Sequence, residues 1–97
     1  MAMYILLSNF TDQGIRNIKD TTKRAEVFRQ TAEKLDVSVK DIYWTLGQYD
    51  VVATVQAPDA ATVAALTASL GALGNVRTQT LAAFSADEVN RIVGKMV

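Results

Sequence analysis

Two runs of β-forming residues stand almost back to back near the middle of the chain: Asp41 to Leu46 (DIYWTL) and Val51 to Ala57 (VVATVQA), with Gly47-Gln48-Tyr49-Asp50 between them. So short a gap forces the chain to reverse, and the two runs pair as an antiparallel hairpin. Gly47 supplies the positive φ at which the first run leaves its ladder. Asp50 is placed to accept hydrogen bonds from backbone N–H groups of the turn, and Tyr49 to lay its ring over an apolar edge with its hydroxyl in water. A hairpin cannot bury its apolar face by itself, so the flanking sequence has to supply cover.

The flanks are symmetrical in kind. Met3 to Phe10 (MYILLSNF) predicts a strand. Thr11 and Asp12 offer N-cap oxygens, after which Ile15, Ile18, Ala25, Phe28, Ala32 and Leu35 recur at helical spacing, with Thr22 in the gap. Asp20-Thr21-Thr22 favours caps over helix interiors and predicts a break. Beyond the hairpin, Pro58 stops the third strand. Asp59 caps a helix running to Leu73 with Val63, Leu66, Leu70 and Leu73 on one face, and Gly74 sits at the left-handed C-terminal position. Val76 to Phe84 predicts a fourth strand. Ser85-Ala86-Asp87-Glu88 is a capping box opening a short helix with Val89, Ile92, Val93 and Met96 as its stripe.

The expected fold is therefore α+β: a ferredoxin-like βαββαβ order with a C-terminal helix, in a single domain spanning residues 1–97. In such a fold both main helices lie on one side of the sheet, and the other side must meet water, an added element or a second subunit. Each strand has one clearly apolar set, such as Ile42, Trp44 and Leu46. The alternate sets are mixed: Tyr4 and Leu6; Tyr43 and Thr45; Val52, Thr54 and Gln56; Arg77, Gln79 and Leu81. Which set faces the helices is left open. Either way the remaining face is too apolar for free solvent, which predicts a homo-oligomer, a dimer or a multiple of dimers, docked through the open sheet. The alternative is a monomer whose C-terminal helix folds over that face.

The stretch LGQYDVVATVQAPDAATVAAL resembles the GYD-domain family, in which Gly47, Tyr49 and Asp50 are the matching positions. YILLSNFTDQG, KDIYWTLGQYD, SLGALGNVRTQTL and FSADE extend the likeness over almost the whole chain. The family is similar to the dimeric α/β-barrel superfamily, so the resemblance implies two sheets packed face to face; it implies no defined activity. Residues 46 to 80 also resemble, more weakly, the effector-binding domains of leucine-responsive regulators. That likeness implies a stand-alone amino-acid sensor, without the DNA-binding half.

Composition narrows the chemistry. The chain has neither cysteine nor histidine. Disulfides, thiolate nucleophiles, iron–sulfur clusters and the usual acid–base and metal ligands are thereby removed, and no cofactor or metal site is expected. Ten basic residues balance ten acidic ones, which gives no electrostatic case for nucleic acid. The opening MAMYILL is too short to span a membrane and has no charged region before it, so a cytoplasmic location is expected.

The candidate ligand-binding residues are Trp44, Tyr43, Tyr49, Asp50, Asn9 and Arg24. Trp44, with Tyr43 beside it and Phe10 near, suits an aromatic cleft, although a tryptophan on an alternating strand is ordinarily core. Asn9 and Ser8 close the first strand, where a polar group orients a ligand or simply caps. Arg24 and Lys23 suit a carboxylate at the cleft mouth, or solvent on a charged helix face. Gly47 and Asp50 also form the structural turn. No residue is assigned as catalytic, though similar barrels include cofactor-free oxygenases and isomerases. In that reading Asp50 is the acid placed to act as base.

The small-residue back of the second helix, with Ala61, Ala64, Ala65, Ala68 and Ala72, suits either a second contact or simply a stable helix. The function expected is a homodimeric small-molecule-binding module. Its alternatives are the cofactor-free enzyme, the amino-acid sensor and a purely structural oligomer.

Overall fold

The computed structural model describes residues 1–97. In chain order the elements are β1 (Ala2–Phe10), α1 (Asp12–Arg16), a 3₁₀ turn (Ile18–Asp20), α2 (Thr21–Lys34), β2 (Ser38–Trp44), β3 (Val51–Ala57), α3 (Ala60–Ala72), β4 (Val76–Ala83) and α4 (Ala86–Val93). The four strands form one antiparallel sheet in the order β2-β3-β1-β4. This is the ferredoxin-like α+β arrangement.

The local signals act where the sequence puts them. Thr11 caps α1 by accepting from the Gly14 N–H at 3.1 Å, and the helix breaks before Thr21. The Asp59 carboxylate caps α3 through the Thr62 N–H at 2.8 Å, and Gly74 ends the following turn at φ +86°. Ser85 and Glu88 form the reciprocal capping box of α4. One stop signal is carried by an unexpected residue: Asp36 adopts φ +57° at the end of α2, a conformation aspartate tolerates better than most side chains. That reversal brings the Val37 N–H onto the Ala32 carbonyl at 2.9 Å and drives Val37 into the core.

The register settles which face is which. Leu6 pairs with Ala53 on one side and Thr80 on the other, and Tyr4 with Val55 and Ala82. Tyr4, Leu6, Ala53, Val55 and Ala57 meet Phe28 and Ala32 of α2 and Val63 and Leu66 of α3 in the single core cluster. Leu66 and Val55 have no exposure left, and burying such side chains contributes about 1.5–3 kcal/mol each. The opposite face carries Ile5, Leu7, Val52 and Leu81 together with Thr54, Gln56 and Gln79.

Three expectations need correction. β2 begins at Ser38 and ends at Trp44, three residues earlier at its start than expected, because a bulge between Val39 and Asp41 lets the pairing run on past Asp41. The connection to β3 is consequently six residues, 45–50, and Leu46 projects fully into solvent. Ile15 and Ile18 are exposed, because the break before Thr21 takes them off the face that α2 presents to the sheet. The alternative cover for the open sheet is not formed either: Val89, Ile92, Val93 and Met96 of the C-terminal segment all remain exposed.

Candidate functional site

A cavity of about 150 Å³ lies between the helices and the end of the sheet where β1 finishes and β4 begins. Its origin is a gradient of side-chain size. At the other end of the helix-facing side, Tyr4, Leu6 and Val55 fill the space below α2 and α3. Towards Phe10 the same face carries Ser8, Ala53 and Thr78, which are too small to reach the helices. Ser8 Oγ and Thr78 Oγ1 share a 2.9 Å hydrogen bond that ties β1 to β4 across the floor. Phe28 of α2 and Leu70 and Leu73 at the end of α3 supply the apolar walls, and Phe10 and Trp44 flank the opening.

Trp44 is 43% exposed, which corrects the expectation of a core tryptophan. Its indole N–H donates to Thr21 Oγ1 at 2.9 Å, tying the end of β2 to the start of α2. Arg24 turns inward instead of lying with the solvated charges of its helix. Its guanidinium donates to the Asn17 carbonyl at 2.7 Å and to the Gly14 carbonyl at 3.2 Å, and sits 5.9 Å from the centroid of the Phe10 ring. No carboxylate pairs with it. Lys23 points the other way and makes a loose, exposed contact with Asp20 at 4.0 Å, the sort that stabilises by less than about 1 kcal/mol.

The remaining sequence candidates lie elsewhere. The Asp50 carboxylate accepts the Phe10 N–H at 2.9 Å while its own N–H donates to the Ser8 carbonyl at 2.9 Å. The acceptor role is thus exercised on β1 and not, as expected, on the turn: Asp50 fastens the hairpin to the neighbouring strand just beyond the point where the β1–β3 ladder ends. The turn is closed by the Thr45 N–H to the Asp50 carbonyl and by Thr45 Oγ1 to the Tyr49 carbonyl, with Gly47 at φ +110°.

Tyr49 reaches from the hairpin to β4, where its hydroxyl donates to Gln79 Oε1 at 3.1 Å. There it edges a shallow, polar groove with Leu7, Asn9 and Arg77 on the open face of the sheet. Tyr43 lies on that face too, opposite Val52 and largely exposed. The structure therefore brings Trp44 and Arg24 together at the cleft, puts Tyr43, Tyr49 and Asn9 on the other side of the sheet, and places Asp50 between them as a fastener.

Sequence reasoning overlooked Gly14. It is buried where α1 meets the α3–β4 connection, and a Cβ there would stand 2.0 Å from the Asn75 carbonyl oxygen. Around it, the Thr11 N–H donates to the Asn75 carbonyl at 3.0 Å and Thr11 Oγ1 donates to the Gly74 carbonyl. Gln13 Nε2 donates to the Leu73 carbonyl and to Asn75 Oδ1, at 3.1 and 3.0 Å. This latch holds α1 in place, and α1 in turn supplies the Gly14 carbonyl that aims Arg24. A glycine at the third position of a short helix, where propensity disfavours it, was the available signal.

The family model described as GYD domain matches residues 4–93. A Thermus thermophilus protein named "Glutamine synthetase and cystathionine beta-lyase binding protein" is 38% identical over 94 residues, covering 95% of this chain and 99% of its own length. The crystal structure of TTHA0845, also from Thermus thermophilus, is similar in fold, with a TM-score of 0.57 and 25% identity over 89% of this chain and 96% of that one. With the Gly47, Tyr49 and Asp50 signature forming the hairpin fastener just described, and a family match over nearly its full length, the chain belongs to the GYD-domain family.

Proposed function

We propose that the protein is a homodimeric binding module whose helix–sheet cleft takes a small molecule and whose open sheet face docks on a second copy. The observation that carries the ligand reading is the cleft itself: a preformed, mainly apolar cavity of about 150 Å³ with Arg24 as the one ionisable side chain in its lining. Such a mixture of apolar wall and a few polar groups, one of them charged, is how small-molecule sites achieve affinity and orientation together. With no acid or base beside Arg24 in the lining, and Asp50 outside it, binding fits this cleft better than acid–base chemistry.

Dimerisation is supported by how little the chain buries alone. Eleven of 97 residues are buried, and the radius of gyration is 14.6 Å against about 12.5 Å for a compact domain of this length. Ile5, Leu7, Val52 and Leu81 give the open face an apolar centre for a partner sheet. Native mass spectrometry of the purified protein, under gentle and then harsh desolvation, tests both halves. A dimer or its multiple carrying a dissociable small mass supports the reading; a monomer overturns the docking of sheets.

A second reading concerns a protein partner. The Thermus thermophilus relative is named for binding two enzymes, and here α4 offers an exposed apolar stripe of Val89, Ile92, Val93 and Met96 with no cover within the chain. An adaptor that senses a metabolite in its cleft and docks on a cytoplasmic enzyme unites the two readings. Immobilised protein titrated with glutamine synthetase and cystathionine β-lyase of the same organism tests it, and no saturable response from either enzyme removes it. No helix is long and apolar enough to cross a membrane.

A further inference from the structure

We infer that the cleft selects a compact apolar carboxylate that carries no amino group, with Arg24 as the residue that receives the carboxylate. The inference rests on the cleft being a ligand site, as proposed above, and names the chemistry of what enters it.

Arg24 is an anchored cation with capacity to spare. A guanidinium has five N–H donors in a fixed plane. The Asn17 and Gly14 carbonyls take two of them, at 2.7 and 3.2 Å. Three remain, and no acidic side chain lies within salt-bridge distance to claim them. The two carbonyl contacts fix the plane of the group, and the Phe10 ring 5.9 Å away supports it. The ordering cost of a long side chain is thus already met in the free protein, the condition under which an arginine–carboxylate pair adds most affinity.

The same walls are hostile to an ammonium. An α-amino group needs an acceptor, best of all a carboxylate. The polar acceptors around the cavity are neutral hydroxyl and amide oxygens, of Ser8, Thr21, Asn75 and Thr78, each already in one hydrogen bond. No carboxylate lines the cavity, Asp50 included. A zwitterion would bring one charge to Arg24 and leave the other without a counter-charge in a mainly apolar cleft.

Size sets the last limit. A cavity of about 150 Å³ holds a six-carbon ring, so the apolar body that sits inside it is a single aromatic ring or a branched chain of about five or six carbons. The chemical class is a monocarboxylate such as an aromatic acid or the deaminated skeleton of a branched-chain amino acid.

The test uses matched ligands on the whole protein, read by Trp44 fluorescence and by titration calorimetry. Benzoate is compared with benzamide, and 4-methylpentanoate with leucine. Each acid is expected to bind about 10-fold or more tightly than its partner, the range of one charge-assisted hydrogen-bonded pair. In Arg24→Gln the benzoate-over-benzamide preference falls to near unity, while Arg24→Lys, which keeps the charge but not the fork, retains part of it. Thermal melts of both variants monitor the loss of the Gly14 and Asn17 anchors.

Benzamide binding as well as benzoate to the unaltered protein overturns the assignment of Arg24 while leaving the cleft a binding site. Leucine matching 4-methylpentanoate overturns the exclusion of the amino group. If none of the four compounds binds, the cleft is not a ligand site of this size and both proposals fall.

Discussion

Substituting Gly14 by alanine sets two effects of opposite sign against each other. On helix propensity alone, glycine to alanine stabilises by roughly 0.5–1 kcal/mol. At Gly14, however, the new Cβ would lie 2.0 Å from the Asn75 carbonyl oxygen and 3.0 Å from its carbon. A close carbon–oxygen contact needs about 3.3 Å, so the α3–β4 connection must retreat by roughly 1.3 Å. Overpacking of that kind costs about 1–3 kcal/mol. The retreat also stretches the two bonds from Thr11 to Asn75 and Gly74 beyond hydrogen-bonding range, removing roughly another 1–3 kcal/mol. The steric effect wins, and the net loss is about 2–4 kcal/mol.

At 4–8 °C per kcal/mol for a domain of this size, the melting temperature falls by roughly 10–30 °C. The assay is thermal denaturation at one fixed protein concentration, since any association shifts the midpoint. Gly71 provides an internal control: it lies in α3, and nothing stands within 4 Å of its added Cβ. Gly71→Ala is therefore expected to be neutral or to raise the midpoint. A Gly14→Ala protein that melts at or above the parent temperature refutes the latch. Faster amide exchange at Thr11 in the variant, whose N–H the latch protects, locates the damage.

The hairpin fastener makes a second prediction: Asp50→Ala leaves the Phe10 N–H without its acceptor and costs about 1–3 kcal/mol in urea unfolding, whereas Asp50→Asn, which keeps an acceptor, costs less. Gly47→Ala meets no neighbour but must adopt φ +110°, so pure backbone strain of about 1–3 kcal/mol appears without any packing defect. At the start of α3, hydrogen bonds from the Thr62 hydroxyl and N–H hold the Asp59 carboxyl below its ordinary value of 3.8. A depressed folded-state value means the cap contributes fully above 3.8 and is lost as pH falls from there through the lowered value. Asp59→Ala is accordingly expected to lower the melting temperature near neutrality, with the gap to the parent closing below pH 3.8; a gap that stays constant with pH contradicts the linkage.

The signals that proved legible are those contained within a few residues. Val51 to Ala57 pairs over the span its β-branched pattern predicts, and Asp59, Gly74 and the Ser85–Glu88 box act at the expected ends, because a cap needs only its own turn to form. The start of β2 was missed for the complementary reason. Ser38 and Val39 lack the aromatic character of Tyr43 and Trp44, and their pairing with β3 depends on a bulge that no local propensity encodes. Asp36 doing the work of a C-terminal glycine is of the same kind: Val37 gains burial beside Ala32, and that gain lies in the core and not in the turn.

The candidate site divides along the same line. Trp44, Arg24, Tyr49 and Asp50 were singled out as residue types, but their placement follows from register. Because side chains alternate along a strand, Tyr43 and Trp44, adjacent in sequence, face opposite sides of the sheet. Arg24 reads as one more charge on a polar helix face until the end of α1 folds back and gives it two carbonyls.

By itself, then, the sequence determined the order of elements, their caps and the family, since each of these is written in contacts between near neighbours. Tertiary structure alone decided which strand face meets the helices, where small side chains leave a cavity, and that Gly14 must be a glycine. Those outcomes rest on residues far apart in the chain, such as Ser8 and Thr78, whose hydroxyls meet at 2.9 Å, and Gly14 and Asn75, whose backbones close on each other.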